Sequence, residues 1–160
     1  MLCQQGSYFL EDFGVGDVYE TPSVTVTREQ LVDFARQYDP QPYHLDDEAG
    51  DSSVFGGLSA GGFQIASMAW ALGLRTGYFD QCAMAGIGID ELRWHRPLKP
   101  GDTIKCKMEV VENRLSRSKP DRGVATFRYE MTNQNNDAVM ALTLIQMLRR
   151  GPDNEEVAHG

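Results

Sequence analysis

Phe55-Gly56-Gly57-Leu58-Ser59-Ala60-Gly61-Gly62, running into Phe63-Gln64-Ile65-Ala66-Ser67-Met68-Ala69-Trp70-Ala71-Leu72-Gly73-Leu74, is the stretch on which the fold turns. The spacing predicts a helix from Phe63 to about Thr76. Ile65, Met68, Ala69, Trp70, Leu72 and Leu74 cover most of its circumference, and no carboxylate occurs between Ala60 and Phe79. A helix apolar nearly all round is a buried one. The glycines before it let the chain enter that helix from a crowded approach.

Beyond Ile87 the apolar period changes from helical to two. Strands are predicted at Ile87–Arg96, Thr103–Glu112, Val124–Thr132 and Val139–Arg149. Pro97, Pro100-Gly101-Asp102, Pro120-Asp121-Arg122-Gly123 and Asn135-Asn136-Asp137 separate them as turns. Thr103–Glu112 alternates Ile104, Cys106, Met108 and Val110 with Lys105, Lys107 and Glu109, so one face is wet. Val139–Arg149 is apolar on both faces, as a central or interface strand is. One buried helix followed by antiparallel strands gives an α+β class, a curled antiparallel sheet wrapped around one long helix. No internal repeat is visible, so the chain is a single unit, and its doubly apolar strand predicts a dimer.

Before the glycines, Val18–Val26 reads as a strand. Thr27-Arg28-Glu29-Gln30 is a capping box, and Leu31, Phe34, Ala35 and Tyr38 continue a helix to Tyr38. Pro40 and Pro42 stop it, because each pushes its preceding residue into extended backbone. Asp39-Pro40-Gln41-Pro42-Tyr43-His44 is therefore expected to be a stiff, irregular loop.

The chain has 160 residues, 41% hydrophobic and 24% charged, which fits one globular domain over residues 1–150 with an acidic, disordered tail at 151–160. A net charge of −8 argues against a nucleic-acid partner. Cys3, Cys82 and Cys106 are widely spaced with no CxxC or Cys/His cluster, so neither structural zinc nor a disulfide framework is expected. Met1 to Phe13 lacks a basic segment followed by an apolar run, and Phe63–Leu74 is too short to cross a bilayer. A soluble, reduced, cytoplasmic chain without a membrane partner is expected.

Two segments can carry chemistry. Asp39 and His44 place a carboxylate and an imidazole five residues apart on a backbone stiffened by two prolines, an arrangement suited to holding one water between groups of different basicity. The same residues also suit a plain helix-ending turn. Gly61 and Gly62 open the buried helix, whose free N–H groups favour a developing negative charge on a carbonyl oxygen; alternatively they only allow close packing. Arg93, Arg96 and Lys99, with Arg114, Arg117, Lys119 and Arg122, concentrate positive charge and suit either phosphate contacts or a solvated face. His95 reads as a structural or rim residue. Phe63, Met68, Trp70 and Met84 read as core or as the walls of an acyl pocket.

Phe34-Ala35-Arg36-Gln37-Tyr38-Asp39-Pro40-Gln41-Pro42-Tyr43-His44-Leu45-Asp46, with Phe55-Gly56-Gly57 behind it, resembles the signature of the MaoC-like dehydratases. These are hot-dog-fold proteins that include the R-specific enoyl-CoA hydratases. Arg93-Trp94-His95-Arg96-Pro97-Leu98-Lys99-Pro100-Gly101-Asp102-Thr103 is similar to the family's strand and Pro-Gly-Asp turn, and the likeness runs from about Phe9 to Arg149. The resemblance implies a hot-dog fold and a lyase of fatty-acid metabolism that interconverts 2-enoyl and 3-hydroxyacyl thioesters. It implies that Asp39 and His44 are the catalytic pair, that Gln41 holds the loop, that Ser67 lies near the acyl group, and that Gly62 supplies an oxyanion donor. It further implies an acyl-CoA or acyl-carrier thioester as substrate, no metal or other cofactor, and a homodimer or larger homo-oligomer. Arg93, Arg96 and Arg117 are candidate contacts for CoA phosphates. Relatives often carry His-Gly where this chain has Gly61-Gly62, or a His where it has Gln64, which sets its pocket lining apart. A thioesterase of the same fold is a second reading, against which the helix without a carboxylate counts. A non-catalytic thioester-binding module is a third.

Overall fold

The computed structural model describes residues 7–155. A 3-10 turn at Leu10–Asp12 is followed by β1 (Val18–Glu20), β2 (Val24–Thr25), α1 (Arg28–Tyr38), α2 (Pro42–Leu45), α3 (Asp47–Asp51) and α4 (Gly62–Leu74). Then come β3 (Ala83–Trp94), β4 (Thr103–Leu115), β5 (Arg122–Thr132), β6 (Ala138–Arg149) and a final turn, α5 (Pro152–Glu155). Every strand pairing is antiparallel, in the order β1-β4-β5-β6-β3, with β2 also on β4. The four long strands and the helix against them form the hot-dog fold.

The alternation in β4 works as expected. Ile104, Cys106, Met108 and Val110 are buried while Lys107 is exposed. Each such apolar side chain contributes about 1.5–3 kcal/mol on burial. Ile65, Ala69 and Leu72 of α4 join the same core. Phe13 seals one end, stacked on Phe79 at 5.5 Å and edge-on to Phe127 at 5.3 Å. β6 lies between β5 and β3, with Val139 and Ala141 buried on one face and Met140, Leu142, Leu144 and Leu148 on the other.

Several sequence expectations change. The strand predicted over Val18–Val26 is two short pieces, because Thr21-Pro22 interrupts it. Pro22 has no N–H to give the ladder. Thr21 instead makes both bonds to Cys106: its N–H donates to the Cys106 carbonyl (2.9 Å) and its hydroxyl accepts from the Cys106 N–H (2.9 Å). The Asp39–His44 segment is not wholly irregular, since Pro42 opens α2 at a position where a missing N–H costs nothing. The helix α4 is buried on one side only. Phe63 is 68% exposed, and Ser67 and Leu74 share its open face.

The α1 capping box is present as predicted, with Thr27 and Gln30 bonding each other's backbone N–H. Residues expected in the tail begin with an ordered turn. Arg150 and the Gly151 N–H both bond the Glu11 carboxylate, at 2.8 and 3.1 Å, which ties the chain down before α5. Residues 156–160, including His159, and Cys3 lie outside the described residues. Among the described residues no helix is long and apolar enough to cross a membrane.

Candidate active site

α1 ends where Pro40 follows Asp39, whose N–H still donates to the Ala35 carbonyl at 2.9 Å. This fixes the backbone of Asp39 to the helix while its side chain leaves the helix axis. Gln41 then turns back, and its Nε2 donates to Asp39 Oδ1 at 2.6 Å. The Tyr43 hydroxyl donates to Gln41 Oε1, holding the amide in the orientation that gives Asp39 a donor. α2 places His44 one turn further on, with its side chain only 6% exposed.

The imidazole is held from behind. His44 Nδ1 lies 2.7 Å from the Ser59 carbonyl oxygen. A carbonyl only accepts, so Nδ1 carries hydrogen, and in the neutral ring Nε2 presents a lone pair. That nitrogen faces Asp39 Oδ2 at 3.6 Å, beyond a direct hydrogen bond yet close enough for one water to touch both. Tyr43 packs edge-on to the ring at 4.5 Å, and Phe55 stacks on it at 6.2 Å.

Gly61 and Gly62 bring α4 against this pair. A β-carbon on Gly61 would stand 2.5 Å from Asp39 Oδ2, and one on Gly62 would stand 2.6 Å from the Trp94 ring. Trp94 Nε1 donates to the Gly62 carbonyl at 2.9 Å, fastening the last residue of β3 to the first turn of α4. The first N–H groups of α4 have no intrahelical acceptor, and Gly62 lines the space beside the pair. The result is a cavity of about 420 Å³ whose polar floor is Asp39, His44 and Gln41 and whose walls include Phe55, Phe63, Ile65 and Trp94. Asp39 is the carboxylate that lines it.

Asp39, His44, Gln41 and Gly62 thus come together. Ser67 does not line the cavity; it is exposed, and its hydroxyl donates to the Phe63 carbonyl at 2.8 Å. Arg96 stands at the cavity rim, 3.7 Å from Asp137. Arg93 is exposed and bonds the neighbouring Leu92 carbonyl at 2.8 Å. Arg117 lies in the β4–β5 turn, at the Arg122/Arg149 end of the strands, whereas the cavity lies at the end where Trp94 pairs with Met140. His95 lines the rim. Gln64, where some relatives carry a histidine, points away from the cavity to the Gln30 carbonyl at 2.9 Å and links α4 to α1. Among the described residues no group of three or more His, Cys, Asp or Glu is placed to hold a metal ion.

Three contributors carried no sequence signal that singled them out. Ser59 acts through a backbone carbonyl, and its own hydroxyl is buried beside the cavity without a partner among the described residues. Tyr43 orients Gln41, which the local spacing in Gln41-Pro42-Tyr43 allows but does not require. Trp94 closes over Gly62 only because β3 crosses the start of α4.

Comparison with known proteins places the site in context. Residues 12–133 match the family described as MaoC like domain. The crystal structure of the MaoC-like dehydratase from Rhodospirillum rubrum superposes with a TM-score of 0.82 at 35% identity, covering 91% of this chain and 99% of that one. The uncharacterized protein YdeM of Bacillus subtilis is 26% identical over 88% of this chain and 99% of its own length. Protein MaoC of Klebsiella aerogenes is 33% identical over 68% of this chain, which spans only 33% of that longer protein. A match over this much of the chain, on the fold just described, makes it a member of the MaoC-like dehydratase family.

Proposed function

We propose that this protein hydrates 2-enoyl thioesters to 3-hydroxyacyl thioesters, and catalyses the reverse dehydration, with Asp39 and His44 as the catalytic pair. The single observation that carries this is the 3.6 Å gap between His44 Nε2 and Asp39 Oδ2, walled by apolar side chains and faced by the first turn of α4. A water lying beside the two atoms, about 2.8 Å from each, bonds both groups. Its oxygen bonds C3 of the enoyl thioester as the pair takes up its proton. The C2–C3 π electrons move toward the thioester oxygen, where the α4 amides near Gly62 stabilise the enolate. C2 then takes a proton from the pair, the carbonyl re-forms, and the pair ends as it began. His44 is suited to accept the water proton, because Ser59 fixes its tautomer with Nε2 free. The Asp39 carboxyl, 3.6 Å from Nε2, is placed to stabilise the imidazolium that results.

Acyl-CoA or an acyl-carrier thioester is the substrate in this reading, with Arg96 at the rim as its phosphate contact. Arg93 and Arg117 lie off the cavity and could serve only a longer reach. The homodimer forms through β3. This strand is the sheet edge, and Ala83 to Ile89 carries no charge or proline to discourage pairing, while Ile87 and Ile89 are 53% and 49% exposed.

The test is to follow the enoyl-thioester absorbance while the protein meets crotonyl-CoA and longer enoyl-CoAs, with a thiol reagent present. Loss of the absorbance without free thiol supports the hydratase. Release of free thiol makes the protein a thioesterase. Binding without either change makes it a thioester-binding module.

A further inference from the structure

Trp94 keeps 46% of its surface exposed, yet its position is closely defined. Its Nε1 donates to the Gly62 carbonyl at 2.9 Å, its ring fills the space that a β-carbon on Gly62 would need, and Phe63 meets it edge-on at 6.2 Å. All three residues line the cavity that holds Asp39 and His44.

A β-bulge turns the indole to that side of the sheet. Asp90 pairs with Thr143 and Arg93 with Ala141, so β3 takes three steps where β6 takes two. The extra residue reverses the alternation of the strand. Trp94 therefore shares a face with its partner Met140, which is 1% exposed in the core. Without the extra residue it would lie on the opposite face, with the paired side chains of Arg128 and Thr143.

The bulge is strained. Glu91 has a φ of 52°, in the left-handed region that residues with a side chain seldom adopt. Among the described residues one other non-glycine residue has a positive φ: Asn136, between β5 and β6, a residue type that tolerates such turns. The Glu91 carboxylate is 75% exposed, and a 3.5 Å contact with Arg128 in that setting contributes too little to explain the strain. Arg93 Nη1 donates to the Leu92 carbonyl at 2.8 Å and braces the bulge from the next residue. Bulges and strained backbone concentrate beside active sites, where they re-aim a side chain.

The Gly62 carbonyl and the Phe63 N–H are two ends of one peptide group. A bond donated to the carbonyl polarises the group and strengthens the N–H as a donor. Phe63 is in the first turn of α4, so its N–H has no intrahelical acceptor. Helix N–H groups point toward the N-terminal end, and at that end of α4 stands Asp39, whose Oδ2 fills the space beside Gly61.

We propose that Trp94 is a positioning residue, aimed by the Glu91 bulge, which fixes and polarises the Gly62–Phe63 peptide so that its N–H meets the carbonyl oxygen of the bound thioester; this rests on the hydratase reading of the cavity. The bulge and the indole then set how strongly the enolate is stabilised, while Asp39 and His44 handle the water.

The test separates polarisation from folding. A saturated acyl-CoA, isotope-labelled at the thioester carbonyl, is bound to wild type and to Trp94→Phe, which keeps an aromatic ring and removes the donor. Infrared difference spectra should show the carbonyl stretch lowered on binding to wild type and returned most of the way to its solution value in the variant. On an enoyl-CoA that wild type hydrates, Trp94→Phe should lose about tenfold in kcat, the scale for a partner that orients a reacting group, with KM within a few-fold of wild type. Glu91→Val, whose branched side chain disfavours left-handed backbone, should lower kcat and the carbonyl shift together. Glu91→Gly, free to adopt that backbone, should lower both by less. An equal carbonyl frequency in wild type and Trp94→Phe overturns the proposal whatever happens to kcat, because a purely structural role does not act on the polarisation of the ligand. Enoyl turnover is scored separately. Turnover with equal frequencies removes the role of Trp94 and leaves the hydratase. A frequency shift lost in Trp94→Phe, without enoyl turnover by wild type, removes the hydratase and leaves Trp94 in its role.

Discussion

Gly61 leaves no room for a side chain beside Asp39: a β-carbon there would stand 2.5 Å from the carboxylate oxygen Oδ2. The obstructing atom is the free end of a side chain, so the fold can yield at small cost. It can yield only by moving the group proposed to hold the water. Gly61→Ala should leave thermal unfolding little changed while lowering kcat about 100-fold, the scale of an ångström-sized misplacement. Melting curves and steady-state kinetics on one preparation check this, and near-normal activity would show that Asp39 is not needed at that position.

Gln41 reaches Asp39 Oδ1 at 2.6 Å and is itself oriented by Tyr43. Gln41→Met keeps the length and removes the donor, freeing the carboxylate to rotate. A loss of about tenfold in kcat is expected, as for other partners that orient a reacting group, with Tyr43→Phe falling by less. Because both act through Asp39, combining either with Asp39→Asn should produce no further loss. An additive loss would place Gln41 in a separate role.

The open edge of β3 predicts an assembly. Ile87 and Ile89 are half exposed in the single chain, so Ile89→Lys has space to fold but puts like charges near one another across a two-fold pairing. Light scattering should give a dimer or larger species for wild type and a monomer for Ile89→Lys. A monomeric wild-type protein would remove the β3 interface.

Much of this architecture was legible before any coordinates. The Thr27/Gln30 capping box marked the start of α1, and the period-two stretches marked β4, β5 and β6 to within a few residues. What escaped was tertiary. Nothing in Thr21-Pro22 announces that Thr21 would take over pairing with Cys106, which split the first strand. The all-round apolar character of α4 predicted full burial, but its Phe63–Leu74 face is left open by a single chain. Asp39, Gln41 and His44 are local in sequence, so their grouping could be anticipated. Ser59 contributes a backbone oxygen, which side-chain identity does not encode.

The cysteines supply a pH prediction. Burial pushes the Cys82 thiol up to about 11 and the Cys106 thiol up to about 12, from an ordinary 9.0. A raised pKa means that the folded state holds its proton when the unfolded chain has released it. These thiols therefore favour folding below about pH 9, and that contribution declines as the pH rises toward 11 and 12. In a Cys3→Ser background, a thiol reagent at neutral pH should modify Cys82 and Cys106 only at the rate of unfolding. Stability to denaturant should fall above pH 9 less steeply in Cys106→Ala than in its parent. Rapid labelling of the native protein would contradict the burial described here.

The most direct test of the central claim is the turnover of an enoyl-CoA that wild type hydrates, measured for Asp39→Asn and His44→Gln beside the binding of a saturated acyl-CoA by the same proteins. Loss of a general acid–base group costs about 10²- to 10⁴-fold. Both variants should lose kcat on that scale while binding the saturated ligand within a few-fold of wild type. Retention of wild-type kcat by either variant would contradict a water held between Asp39 and His44.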